Sequence, residues 1–262
     1  MTGQELIDSL RSDYLDNSEP PYKWLDSEIL RYLNYAEVQA CRRAHLLVDG
    51  ITANDSGTAA TASAGGVKPL CVLVIVADQA YYTLSPKILQ IKRCQLMSMT
   101  YPIQGPVSYS ELDQYVSGWW GTVGTLGTSG TYSTSGTSGT VAASGTGGVP
   151  TFYLNEPGNT ITFVKAPSTN DIASLVVSRI PLLPFVAANS PEIPEAYHQG
   201  LLDWAAHLAF NKPGEETYNP NLSAMYERKF IQQFGELPNA YSEKMRRILS
   251  QKQRMRPREF GS

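Results

Sequence analysis

Residues 22–50 read YKWLDSEILRYLNYAEVQACRRAHLLVDG, with Ile29, Leu33, Ala36, Ala40, Ala44 and Leu47 recurring at steps of three or four. That spacing gathers side chains onto one helix face. The stretch therefore predicts a single long helix from Asp26 to Val48, with Asp26 as its N-cap, Ser27 and Glu28 in the first turn and Gly50 closing it. Arg31, Glu37, Gln39 and Arg43 fall largely off the apolar stripe. Alanines within the stripe allow close approach of a neighbouring helix, so at least one helical partner is expected.

Upstream, Thr2 and Glu5 have the spacing of a capping box, and Leu6, Leu10 and Tyr14 mark the buried face of a first helix that Ser18-Glu19-Pro20-Pro21 breaks. Downstream of Pro181 and Pro184 the chain turns helical again. Pro191-Glu192-Ile193-Pro194-Glu195 stiffens the approach and places acids at the positive end of the next helix. Tyr197, Leu201, Trp204 and Leu208 form its stripe, and Asn211-Lys212-Pro213-Gly214 stops it. Asn219-Pro220 opens another helix with Leu222, Tyr226, Phe230 and Phe234 as the stripe and Gly235 as its end.

The middle of the chain reads as β-structure. Leu70–Val76, LCVLVIV, is a β-branched run expected to be buried on both faces, and Ile88–Met97 is a second strand. Ser108-x-x-Glu111 opens a brief helix to Val116. Phe152–Leu154, Thr160–Val164 and Ala173–Ile180 supply three more strands, the first two joined through Pro157-Gly158-Asn159. Residues 52–69 are small, polar and Gly-rich, an exposed loop. From Gly121 to Val141, threonine recurs at every third position, which fits neither the helix nor the strand period. The segment lacks proline and breaks its glycine rule at Ser133, so a collagen helix is not expected. It reads as an uncharged loop or as an extended arm lying against a neighbouring subunit.

The expected fold is α+β: an antiparallel bundle of N- and C-terminal helices around an inserted small antiparallel β-domain. The corresponding divisions are 1–50, 51–185 with the Gly/Thr/Ser-rich loop 121–148, 186–238, and a C-terminal arm, 239–262. Ile29, Leu33, Ala36, Ala40, Leu201, Trp204 and Leu208 are the expected packing residues of the bundle.

The chain has 262 residues and 42% apolar content, enough to bury a sizeable core. Its first residues carry acids where an export signal carries basic residues, and no apolar run approaches the roughly 18 residues of a membrane helix. No membrane partner is expected. Cys41, Cys71 and Cys94 form no CxxC pair, and His45, His198 and His207 have no ligand spacing, so reduced thiols and no metal site are expected.

Charge is polarised. Residues 239–262 hold seven basic and two acidic side chains, net +5, while the rest holds 14 basic and 22 acidic, net −8. The tail therefore meets a different partner from the body. Met245, Ile248 and Leu249 offer apolar anchors, and Arg246, Arg247, Lys252, Arg254, Arg256 and Arg258 offer cations. Together they suit docking into an acidic protein groove. Nucleic-acid binding by counterion release is the alternative, though only Tyr241 and Phe260 could stack on bases. A solvated helix end is the third reading.

Catalytic signatures are missing. There is no GxSxG, HExxH, Walker loop or GxGxxG after a strand. His198 and His207 are nine residues apart, about 180° around one helix, and cannot share a ligand there. Carboxylates such as Asp203 and Glu195 would suit attack on cell-wall glycan only if brought together, and any acidic protein offers such pairs. The Gly-rich repeat lacks the lysine and the following helix of a phosphate loop. No enzyme activity and no cofactor are expected.

Two segments, YKWLDSEILRYLNYAEVQACRRAHLL and SPEIPEAYHQGLLDWAAHLAFNK, together resemble the head-to-tail adaptor proteins of tailed bacteriophages. Between them, Tyr82–Ile91 is similar to that family's strand pair, and Thr160–Val164 with Pro167 to its next hairpin. The resemblance implies a dodecameric ring of identical subunits beneath the portal, in the virion neck, with the Asn239–Arg258 arm docked on the portal and tail or nozzle proteins below. Another neck or tail-completion ring is the neighbouring reading. DNA would pass through the channel without sequence-specific binding, and an acidic body would repel its phosphates. The insertion at 121–148 departs from the family pattern.

Overall fold

The computed structural model describes residues 1–15, 19–50, 70–116, 119, 148–156, 159–212 and 218–242. It is an α+β chain of helices and antiparallel strands that divides into two compact units. The first comprises Met1–Val48 and Ser178–Asn239; the second comprises Asp49–Val177 and, among the described residues, 240–242.

The first unit holds α1 (Gly3–Asp13), α2 (Asp26–Ala44), α4 (His198–Phe210) and α5 (Pro220–Phe234). Helix α1 starts at the predicted capping box: Thr2 Oγ1 accepts from Glu5 N at 3.3 Å and Glu5 Oε2 accepts from Thr2 N at 3.0 Å. Helix α5 starts at Asn219, whose side chain accepts from Leu222 N, with Pro220 at the first helical position. Gly235 ends it at φ 85, in the left-handed region.

Helix α2 departs from expectation at both ends. Its N-cap is Leu25, without a side-chain cap bond, because the Asp26 carboxylate is drawn instead to Arg11 Nη2 at 2.6 Å. It stops at Ala44, and His45 turns left-handed at φ 50 with Nδ1 2.9 Å from Ser178 Oγ. Leu47–Gly50, expected to finish the helix, is the strand β1. Tertiary pairing overrides a periodicity that both structures tolerate.

Helix α4 is the most enclosed helix of this unit and packs against α1, α2 and α5. Leu202, Ala205, Ala206 and Ala209 are fully buried beside the predicted Leu201, whereas Leu208 is only half-buried. A helix apolar on most sides is a core helix, so a single stripe understates it.

The second unit holds β2 (Val72–Ile75), β3 (Tyr81–Thr83), β4 (Ile88–Leu96), α3 (Tyr109–Tyr115), β5 (Phe152–Glu156), β6 (Thr160–Val164) and β7 (Asp171–Arg179), the last crossing into the first unit after Val177. One sheet runs β1-β7-β2 with β4 also on β7, and a second runs β3-β6-β5. The two strands of Tyr82–Ile91, β3 and β4, thus belong to different sheets. The hairpin of β6 is made with the preceding β5, with Tyr153 opposite Phe163. Every residue of β6 is buried, as befits a central strand. β2 is a strand as expected but exposes one face, Val74 being 60% exposed.

Candidate interaction surfaces

The expected packing residues lie inside the helical unit. Ile29, Leu33, Ala36 and Ala40 share one buried core with Leu201 and Trp204, and Leu208 packs at its margin. These side chains pack the helical unit from within. Of the expected docking arm, the residues Met245, Arg246, Arg247, Ile248, Leu249, Lys252, Arg254, Arg256 and Arg258 lie outside the described residues, as does the repeat from Gly121 to Val141. Tyr241, at the start of the arm, is 70% exposed.

Polar side chains of α2 that sequence placed off the stripe are buried too: Glu37, Gln39 and Arg43 are all under 10% exposed, and only Arg31 stays in solvent. Of these, Glu37 joins Asn34 in fastening the irregular connection between β7 and α4. Asn34 donates to the carbonyl of Phe185 at 3.0 Å and accepts from its amide at 2.8 Å. One turn on, Glu37 Oε1 accepts from Glu192 N at 2.6 Å and Ile193 N at 3.2 Å. Glu192 pairs with Arg179 and accepts from Leu182 N at 2.7 Å. Its carboxylate is thereby engaged away from the α4 dipole, contrary to the expected role, whereas Glu195 does sit in the first turn of the short 3-10 helix leading into α4.

Helix α1 completes the fastening. The amides of Gly3 and Gln4, which have no partner within their own helix, donate to the carbonyls of Asn189 and Ala187 at 2.8 Å each. A backbone with no regular structure thus finds partners on α1 and α2 for several of its amide and carbonyl groups. Held in this way, the connection exposes Leu182, Leu183 and Val186, the second of these 75%. Sequence reading missed these fasteners. Their signal was an Asn and a Glu three apart beside an apolar stripe, facing a Pro-rich run whose single charge is Glu192.

The second unit carries an open groove of about 530 Å³ lined by Val74, Val76, Met97, Ile172, Asn170 and Asp171. Its side-chain oxygens have partners within the chain. Asp171 accepts from Ser98 Oγ at 2.5 Å and from Ile172 N at 2.7 Å, and Asn170 Oδ1 accepts from Ala77 N at 2.8 Å. Val74, Val76, Met97 and Ile172 give the groove apolar surface, suited to contact with a protein.

Each of the three histidines has a partner within the chain, His45 the Ser178 hydroxyl described above. His207 Nδ1 lies 3.1 Å from the Ser223 carbonyl oxygen and 3.0 Å from Ser223 Oγ. That hydroxyl is buried and donates to the His207 carbonyl at 3.1 Å. His198 is buried with Nε2 on the Ile193 carbonyl at 2.9 Å. Cys41, Cys71 and Cys94 are buried thiols, and burial pushes Cys41 and Cys94 up to about 12, far from reactive thiolates. Among the described residues no three potential ligands converge on a metal position, and no helix is long and apolar enough to cross a membrane.

A family model described as SU10 adaptor protein matches residues 1–258. No curated protein matches the chain.

Proposed function

The chain belongs to the SU10 adaptor protein family, and from that premise we propose that it joins the portal of a tailed bacteriophage to its tail as one subunit of a dodecameric ring. The observation that carries this reading is a family match reaching from the first residue to Arg258, through both helical segments and the basic arm. Its mechanism is binding, with no chemical step.

In this reading residues 1–50 and 186–238 form the antiparallel bundle that packs beside neighbouring copies, 51–185 form the inserted β-domain, and 239–262 form the arm that docks on the portal. Grouping of the first and last helices into one compact unit supports the division. Charge supports the roles: an arm of +5 suits an acidic groove, and a body of −8 repels phosphates, so DNA slides through without adhering. Tail or nozzle proteins take the opposite face of the ring, and assembly proceeds in the host cytoplasm.

The test is a chain ending at residue 242, mixed with purified portal rings. Phe234 is 4% exposed and the Gly235 carbonyl is taken by Arg43, so the cut must fall beyond both. Loss of portal binding with an unchanged unfolding curve is the expected result. Normal assembly of the shortened chain on portal would overturn the docking role of the arm. Tight, salt-sensitive DNA binding by the intact chain would favour the nucleic-acid reading instead.

A further inference from the structure

We propose that residues 181–193 are a latch on α2 whose opening is governed by the proton on Glu37. The geometry is that of a fastened strap. Asn34 and Glu37, one turn apart on α2, grip Phe185 and the Glu192–Ile193 amides. Both backbone groups of Ile193 are held, its N–H by Glu37 and its carbonyl by His198 of α4. Glu37 is 1% exposed, so a charge there is stripped of water.

Four charged or titratable groups surround it. Glu192 on the strap opposes its ionisation, and Arg179 at the end of β7 favours it. Cys41, one turn along α2, is held neutral, and His198 reaches it only through the backbone of Ile193. Burial outweighs the two amide donors, and the Glu37 carboxyl is raised to about 7. Opening returns it to water and its ordinary value, so ionisation favours the open strap. The latch is closed by the proton and loosens as pH rises through neutrality.

This inference goes beyond the adaptor reading, and its test needs no portal. Amide hydrogen exchange of the full chain is followed at pH 6 and pH 8, corrected for intrinsic rates. Residues 182–193 should exchange faster than α5 at both pH values, and their protection should fall about 10-fold from pH 6 to pH 8. Glu37→Gln, which keeps the acceptor oxygen, should abolish the fall. Unchanged protection in the natural chain, exchange of 182–193 at the rate of α5, or persistence of the fall in Glu37→Gln would each overturn the latch. Should that variant not fold, Asn34→Ala decides. It should lower protection at both pH values and keep the 10-fold ratio, and loss of the ratio would overturn the proposal.

Discussion

Arg43 Nη1 donates to the carbonyl oxygen of Gly235 at 2.9 Å, tying the last turn of α2 to the end of α5 across 192 residues of sequence. The same guanidinium lies 4.8 Å from the centroid of Trp204 and 5.1 Å from that of Phe230. One side chain thus fills a slot between three helices and satisfies a helix-end carbonyl. Arg43→Ala should cost about 2–3 kcal/mol in urea unfolding, and Arg43→Lys should recover less than half of it, since an ammonium lacks the planar fork.

Glu37 sets a pH dependence for the whole unit. Its folded value, about 7, lies above the ordinary 4.5. The stabilisation is therefore complete below pH 4.5 and lost as pH rises through 7. Between pH 6 and pH 8 ordinary carboxylates are ionised in both states, so Glu37 dominates the carboxylate contribution. Unfolding free energy should drop by on the order of 1 kcal/mol over that interval, and Glu37→Gln should remove that drop. An unchanged slope in the variant would show that other groups set it.

Asn34 makes two bonds of opposite polarity to one residue, Phe185. Asn34→Asp keeps the acceptor but sets a carboxylate oxygen against the carbonyls of Leu30 and Phe185, so it should be worse than Asn34→Ala. Losses of about 2–3 and 1–2 kcal/mol are expected, and a thermal melt at pH 8 gives their order.

Which parts of this molecule could be read in advance follows from range. The capping boxes at Thr2 and Ser108 and the Asn219 cap are local, complete within four residues, and all three form. Asp26 offers the same local signal, yet Arg11 takes its carboxylate. Ala44 and Leu47 fit a helix stripe, yet pairing with β7 turns Leu47–Gly50 into a strand. The fasteners were hidden for a related reason. Glu37 and Asn34 look solvated on a helical wheel, and only the return of the chain 151 or more residues later covers them.

At Gly200 the backbone of α4 lies close against the side chains of α5. A Cβ at this position would collide with the side chain of Gln233 and come within 2.7 Å of Phe234 Cε2. Gln233 can swing aside, but Phe234 is 4% exposed and packed against Phe230 with ring centroids 4.6 Å apart, so its ring has nowhere to go. Alanine would gain up to about 1 kcal/mol of helix propensity over glycine. Overpacking between two core helices costs about 1–3 kcal/mol and outweighs it. Gly200→Ala should therefore destabilise the chain, and Gly200→Ala with Phe234→Leu should recover part of the loss. A Gly200→Ala chain more stable than the original in urea would show that α5 can shift away, and that the α4–α5 contact is looser than its geometry indicates.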